Sequence, residues 1–333
     1  KIVAKGQDVI AISYQTGVSF SSDSGLNWEA RNNGIDEYFI ETTDIALGLN
    51  SIFIGTSQGV YKSIDDGLNW DKILPVTTNQ TISLVGWSNG KLVAASYQET
   101  YFSEDDGDTW NPKAPTELND EHYTACSVQD DMVVLASETQ LKVSTNFGDD
   151  WSVYSIPSVI REIEIMDNKI MVATDFGIYE TSDFGANWNK VNTDNAFFSA
   201  NSIEEHDGKL YASTEKGVFV SINGGSKWYP VNQGLAIKLT RALQLHNGYA
   251  FVGTSGRAVW RSTTESLSIT PVVNGLVIPI TLAKNQSYEL KPEDLSVTDI
   301  DSSPDQFHVD LLPGSHYSIS GSLIIPETDY IGK

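Results

Sequence analysis

Ser63-Ile64-Asp65-Asp66-Gly67-Leu68-Asn69-Trp70 is the stretch that decides the fold. Reduced to the pattern Ser-x-Asp-x-Gly-x-x-Trp, this octad occurs six times. The first copy is anchored by Ser21, Asp23, Gly25 and Trp28, the second by Asp65 and Trp70, and the third by Ser103, Asp105, Gly107 and Trp110. The fourth carries Asn146 and Trp151, the fifth Thr181, Asp183 and Trp188, and the sixth Asn223 and Trp228. The octad Trp residues follow one another at 42, 40, 41, 37 and 40 positions. A fixed period near 40 marks a repeat architecture, in which each unit buries its apolar face against the next.

Working outward from the octad, each period holds the same signals. An alternating apolar run comes first (residues 45–47, 82–85, 163–165, 242–245), then a turn rich in Asn or Gly. A second run follows (52–56, 92–96, 170–174, 250–254), then a Gly-hydrophobic pair that leads into the octad: Gly17-Val18, Gly59-Val60, Gly177-Ile178 or Gly217-Val218. A last short run starts at the Trp. Four short strands per period with turns between them predict antiparallel all-β units of the propeller-blade kind. A seventh unit, 238–270, has three strands and a worn octad, with Ser262, Thr264, Ser266 and Ile269 at the anchor positions. The expectation is a seven-bladed β-propeller over 1–270 that closes at the worn copy. Its last outer strand is expected from residues 267–272 or from sequence before Lys1.

The octad resembles the Asp box, or BNR repeat, shared by sialidases, the sortilin family, two-propeller xyloglucanases, a photosystem assembly factor and secreted bacterial proteins. The box is common to these families and the chemistry is not. Within the octad the residue types suit a folding device. A short Asp or Asn side chain accepts backbone N–H groups of its own turn, Gly permits a positive φ, and Trp buries a large ring. A turn repeated six times is not one active site, so function is expected on the opposite face, where the inter-blade connections and the turns between second and third strands converge. Candidates there are Tyr14, Tyr38, Tyr97, Asp120, Glu121, His122, Asp175, Phe176 and Arg257. Aromatic and polar groups side by side suit stacking on sugars or peptides. The competing reading is that neighbours such as Tyr123 and Phe198 simply pack in or beside the first strands.

Composition removes several classes. A net charge of −23 disfavours a basic face for nucleic acid or anionic lipid. The single cysteine, Cys126, permits no intrachain disulfide and reads as a small core residue. No apolar run reaches the length of a membrane span. The five arginines do not fit the triad that sialidases use to grip a carboxylate, and Arg31 and Arg261 fall on the octad side. Sialidases also have six blades. The chain opens inside a strand-like run, which suggests that further sequence precedes Lys1.

After Thr270 the octads stop and prolines accumulate at Pro271, Pro279, Pro292, Pro304, Pro313 and Pro326. Residues 271–333 resemble the start of an Ig-like or cadherin-like module of the kind that follows propellers in secreted Bacteroidetes proteins. The resemblance rests on Leu290-Lys291-Pro292-Glu293-Asp294-Leu295, Val297-Thr298-Asp299-Ile300-Asp301 and Tyr317-Ser318-Ile319-Ser320-Gly321. It implies export to the cell surface, a type 9 secretion route and an adhesin role, with the secretion machinery as a partner during export. Asp299, Asp301, Asp305 and Asp310 could gather around Ca²⁺, a hard cation that takes oxygen ligands. An acidic surface loop is the plainer reading of them. The expected function is a non-catalytic scaffold presenting a propeller face to a glycan or protein. The alternative is a glycoside hydrolase, xyloglucanase-like rather than sialidase-like, with acids among Asp120, Glu121 and Asp175. No cofactor is expected beyond that Ca²⁺.

Overall fold

A computed structural model describes residues 1–13, 16–35, 41–76, 81–96, 99–113, 123–137, 140–156, 158–166, 169–193, 196–197, 199–255, 259–267 and 269, together with five short strands further on. The chain divides into two units, Lys1–Leu267 and Ser268–Lys333.

The first unit is a seven-bladed β-propeller. Blade 1 is a four-stranded antiparallel meander of Ile2–Lys5, Asp8–Ser13, Gly17–Ser21 and Glu29–Ala30. Blades 2 to 6 repeat it, with inner strands Thr42–Leu47, Ile82–Ser88, Tyr123–Gln129, Ile160–Met166 and Ala200–His206. Blade 7 holds three strands among the described residues: Thr240–His246, Tyr249–Thr254 and Val259–Thr263. The apolar cores lie between blades. Ile12, Phe20 and Ile35 meet Ile45, Tyr61 and Trp70 across the first junction, and Ile178 and Val191 meet Ile203, Phe219 and Trp228 across the fifth. Each such fully buried side chain contributes about 1.5–3 kcal/mol. The ring closes in the same way, with Ile2 and Val9 of blade 1 packed with Phe251 of blade 7 and flanked by Trp28, Tyr249 and Val259.

The octad is a hydrogen-bonded turn after each third strand. In blade 2, Ser63 Oγ donates to Asp65 Oδ1 at 2.8 Å and accepts the Gly67 N–H at 2.8 Å. Asp65 accepts both the backbone N–H and the side-chain amide of Asn69, at 2.9 and 2.8 Å. Asn146 and Asn223 accept the matching backbone N–H with an amide oxygen, each at 2.9 Å. The indole N–H of Trp28, Trp151 and Trp228 donates to the carbonyl of its own octad Gly. Trp70 and Trp228 are fully buried, whereas Trp28, Trp110, Trp151 and Trp188 are partly so. The turn needs two consecutive left-handed residues. The octad Gly is one, with φ +85° at Gly148, and the residue before it is the other, with φ +53° at Phe147 and +58° at Phe184.

The worn seventh octad forms a 3₁₀ turn over Thr264–Leu267, which buries Leu267. This corrects the expectation that an outer strand starts at Leu267. Val272–Leu276 pairs instead with Leu295–Thr298. The outer-strand pattern nevertheless persists there, because Pro271, Val272, Gly275 and Leu276 repeat Pro230, Val231, Gly234 and Leu235 at the same spacing. In the second unit Leu323–Pro326 lies between Tyr288–Glu289 and Tyr317–Ser320. Asp299, Asp301, Asp305 and Asp310 fall outside the described residues.

Candidate functional site at the mouth of the axial channel

Six inner strands carry an irregularity at the same place. Pairing with the second strand slips by one residue between Thr42 and Asp44, Tyr123 and Ala125, Ile160 and Glu162, Ala200 and Ser202, and Thr240 and Ala242. In blade 3 the slip places Ile82 opposite Ser96 and Leu84 opposite Ala95. A β-bulge of this kind leaves one residue outside the ladder and re-aims its side chain. The residues so released are Thr43, Ser83, Thr124, Arg161, Asn201 and Arg241. All six line one cavity of about 900 Å³, to which all seven blades contribute, blade 1 through Lys1 and Ile12. The fold thus builds a ring of polar side chains at one mouth of the channel, on the face away from the octads.

The ring is differentiated. Ser83 and Thr124 donate their hydroxyls to Ala95 O and Ala136 O, Thr43 donates to Ile82 O, and Asn201 donates to Thr240 O at 2.7 Å. Arg161 makes a two-pronged bond to Asp175, with Nε–Oδ1 at 2.8 Å and Nη2–Oδ2 at 3.0 Å. Arg241 donates Nε to Ser255 Oγ at 3.0 Å.

Below the mouth, carboxylates cap the free inner edges of neighbouring blades. Asp44 accepts the N–H of Val85 at 3.0 Å and pairs with Lys1 Nζ at 2.8 Å. Glu162 accepts the N–H of Ile203 at 2.9 Å, and Glu204 that of Leu245 at 2.9 Å. An inner strand has no partner on its axial side, so these acids satisfy backbone donors that would otherwise lack one. Burial pushes the Glu162 and Glu164 carboxyls up to about 7 and Glu204 up to about 8, and outweighs the N–H bonds that favour the charged forms of Glu162 and Glu204. Cys126 lines the cavity instead of sitting wholly in a core, and burial holds its thiol up at about 12. Such a thiol is a poor nucleophile.

Of the residues singled out from the sequence, Asp175 lies on this face, bonded to Arg161, and Phe176 beside it is 46% exposed. Tyr14, Tyr38, Tyr97, Asp120, Glu121, His122 and Arg257 lie outside the described residues. Tyr123, at 2% exposure, packs in its core, in line with the plainer reading given to it. The bulge arginines and the edge-capping acids were missed. Acids inside apolar runs, such as Glu162-x-Glu164 and Asp44 before Ile45, were the available signal. Among the described residues no cluster of His, Cys, Asp and Glu is arranged to hold a metal, and no helix is long and apolar enough to cross a membrane.

No family model and no curated protein matches the chain. Solved structures do match in fold. A YCF48 structure with a bound D1 peptide superposes with a TM-score of 0.60 at 12% identity, covering 77% of this chain and 89% of that one. PorZ, a bacterial surface component of the type-IX secretion system of Porphyromonas gingivalis, gives 0.60 at 13% identity over 78% of this chain and 46% of its own. An ancestral GH74 enzyme gives 0.59 at 17% identity, covering 84% and 47%. This chain therefore spans about half the length of the latter two. At these identities the likeness establishes the propeller fold, which hosts many chemistries.

Proposed function

We propose that the protein is a binding module of a cell-surface or secreted assembly, and that it holds a glycan or protein ligand at the bulge-lined mouth. The observation that carries this reading is the ring itself. Six blades each spend a β-bulge to release a polar side chain into one cavity of about 900 Å³. Four of the six side chains also bond backbone carbonyls, which leaves the two arginines as the ring's charged groups. The octads are the structural ends of the blades and present the opposite face. Likeness to a secretion-system surface component agrees with export and an adhesin role, and the Ig-like or cadherin-like module, with its Ca²⁺, belongs to the same proposal. The carboxylates argue for binding over turnover. Asp175 is bonded by Arg161, and Asp44 and Glu162 are spent on backbone N–H groups.

One observation favours a second reading. Glu162, raised to about 7 and lining the cavity, has the acidity of a general acid, and a GH74 enzyme shares the fold. Glycan and peptide arrays, followed by a hydrolysis assay on every glycan bound, separate the two. Binding without release of reducing ends, retained in Glu162→Gln, is expected. Turnover lost in Glu162→Gln would replace the binding module with a glycoside hydrolase.

A further inference from the structure

Blades 5 and 7 are the two that place arginine on the bulge, and they differ in one partner. In blade 5 the turn after the second strand supplies Asp175, which takes both prongs of Arg161. In blade 7 the residue at the same register is Ser255, which occupies one nitrogen of Arg241. Both pairs are separated by 14 residues, and both arginines sit at the slip of their inner strand. No carboxylate among the described residues pairs with Arg241, in a chain with 44 acids to 21 lysines and arginines.

Arg241 also stands where two spaces meet. It lines the axial cavity and a second one of about 480 Å³ between blades 7 and 1. That second cleft is mixed in character, with Ile2, Ala11, Ile12, Trp28 and Val259 on its apolar walls and Ser13, Thr16, Ser19 and Thr254 among them. At the junctions of blades 1 and 2 and of blades 6 and 7, the connecting segment contributes a buried apolar side chain, Ile35 or Leu235.

We propose that Arg241 is the anchor for a carboxylate carried by a peptide ligand, whose apolar side chains enter the cleft between blades 7 and 1. A guanidinium offers a planar fork of donors matched to a carboxylate, and one prong held by Ser255 fixes the remainder in place. The apolar walls suit the side chains of a peptide, and the hydroxyls of Ser13, Thr16, Ser19 and Thr254 along the same cleft offer partners for its backbone amides. Blade 5 is the internal control, since the same fork there is already filled by Asp175. This inference rests on the mouth being the binding face and names the class of ligand it takes.

The test uses the full chain and short immobilised peptides that carry one Asp, Glu or free C-terminal carboxylate among Leu, Val and Ala, with their amide counterparts and uronate oligosaccharides alongside. Acidic peptides are expected to bind about ten- to a hundredfold tighter than their amides, with affinity falling as salt rises. Ser255→Asp rebuilds the blade 5 pair and is expected to abolish that difference with the melting temperature unchanged. Arg241→Gln is expected to do the same, and Lys227→Gln, in the sixth octad on the other face, to leave it intact. Acid preference that survives Ser255→Asp and Arg241→Gln, or binding of uronates in place of peptides, would overturn the inference. Loss of all binding in Phe176→Ala with no effect at Arg241 would overturn it while keeping the mouth as the binding face. Absence of binding to any probe would count against both.

Discussion

Glu204, on the inner strand of blade 6, accepts the backbone N–H of Leu245 on the inner strand of blade 7 through both carboxylate oxygens, at 3.0 and 2.9 Å. The bond ties adjacent blades at the axis, where neither strand has a sheet partner. Desolvation there costs the charged form more than the bond returns, which sets the group near 8.

The consequence for pH follows from that shift. With Glu204 at about 8 and Glu162 and Glu164 at about 7 in the folded chain, the folded state binds more protons than the unfolded one from about pH 4.5 upward. Their contribution is fully present below that pH and is lost as pH rises through 7 and 8. Urea unfolding midpoints are expected to fall between pH 5 and pH 8. Glu204→Gln keeps an oxygen for the Leu245 N–H and removes the charge, so it should flatten the slope and raise stability at pH 8. An unchanged slope in that variant would contradict the assignment.

The octad acids carry the opposite sign. Hydrogen bonds from the Thr109 side chain and backbone and from Ser103 hold the Asp105 carboxyl down at about 2, and Asp23 and Asp183 are held there by their own turns. Their stabilisation is present above about pH 4 and disappears as pH falls toward 2. Asn146 and Asn223 show that an amide oxygen serves the same turn. Asp105→Asn is therefore expected to fold normally at pH 7 and to soften the acid-unfolding limb. Asp105→Ala leaves the Thr109 N–H without its acceptor and should lower the midpoint at both pH values.

Glycine positions separate two costs. At Gly148, φ is +85° and a Cβ would stand 2.5 Å from the Phe102 ring, so Gly148→Ala combines backbone strain with overpacking and should cost about 2 kcal/mol or more. At Gly208, φ is +73° with open space around the Cβ, and Gly208→Ala should cost about 1 kcal/mol. Phe184 bears the same left-handed strain with an exposed side chain, and blade 6 has Gly224 at that place. Phe184→Gly is expected to be neutral or to stabilise by up to about 1 kcal/mol in urea melts.

The propeller was legible because the octad is local. Ser63, Asp65, Gly67 and Trp70 specify one turn with their own side chains, and its spacing counts the blades. The left-handed residue before each Gly was not legible, since Ser24, Asp66, Asp106, Phe147 and Phe184 share no chemistry. Their backbone is set by the turn around them. The candidate site was legible only as a face. Which side chains meet there depends on bulges, and a slip of one residue at Arg161 or Arg241 is a property of pairing with the next strand. The edge-capping role of Glu162 and Glu204 is likewise visible only once a neighbouring blade lies alongside. The placement of the seventh outer strand at 267–272, one of its two expected sources, failed for a related reason. Its pattern persists at Pro271, Val272, Gly275 and Leu276, yet Val272–Leu276 finds its partner in Leu295–Thr298.

Hydrogen–deuterium exchange of the full chain, with and without the tightest-binding peptide or glycan from the arrays, tests most directly whether the mouth is the binding face. Slower exchange is expected where the inner strands begin, in Thr42–Leu47, Ile160–Met166 and Thr240–His246, and around the exposed Phe176. Protection confined to the octad turns, around the exposed Leu26, Ile64 and Leu68, would place the ligand on the opposite face and contradict the account.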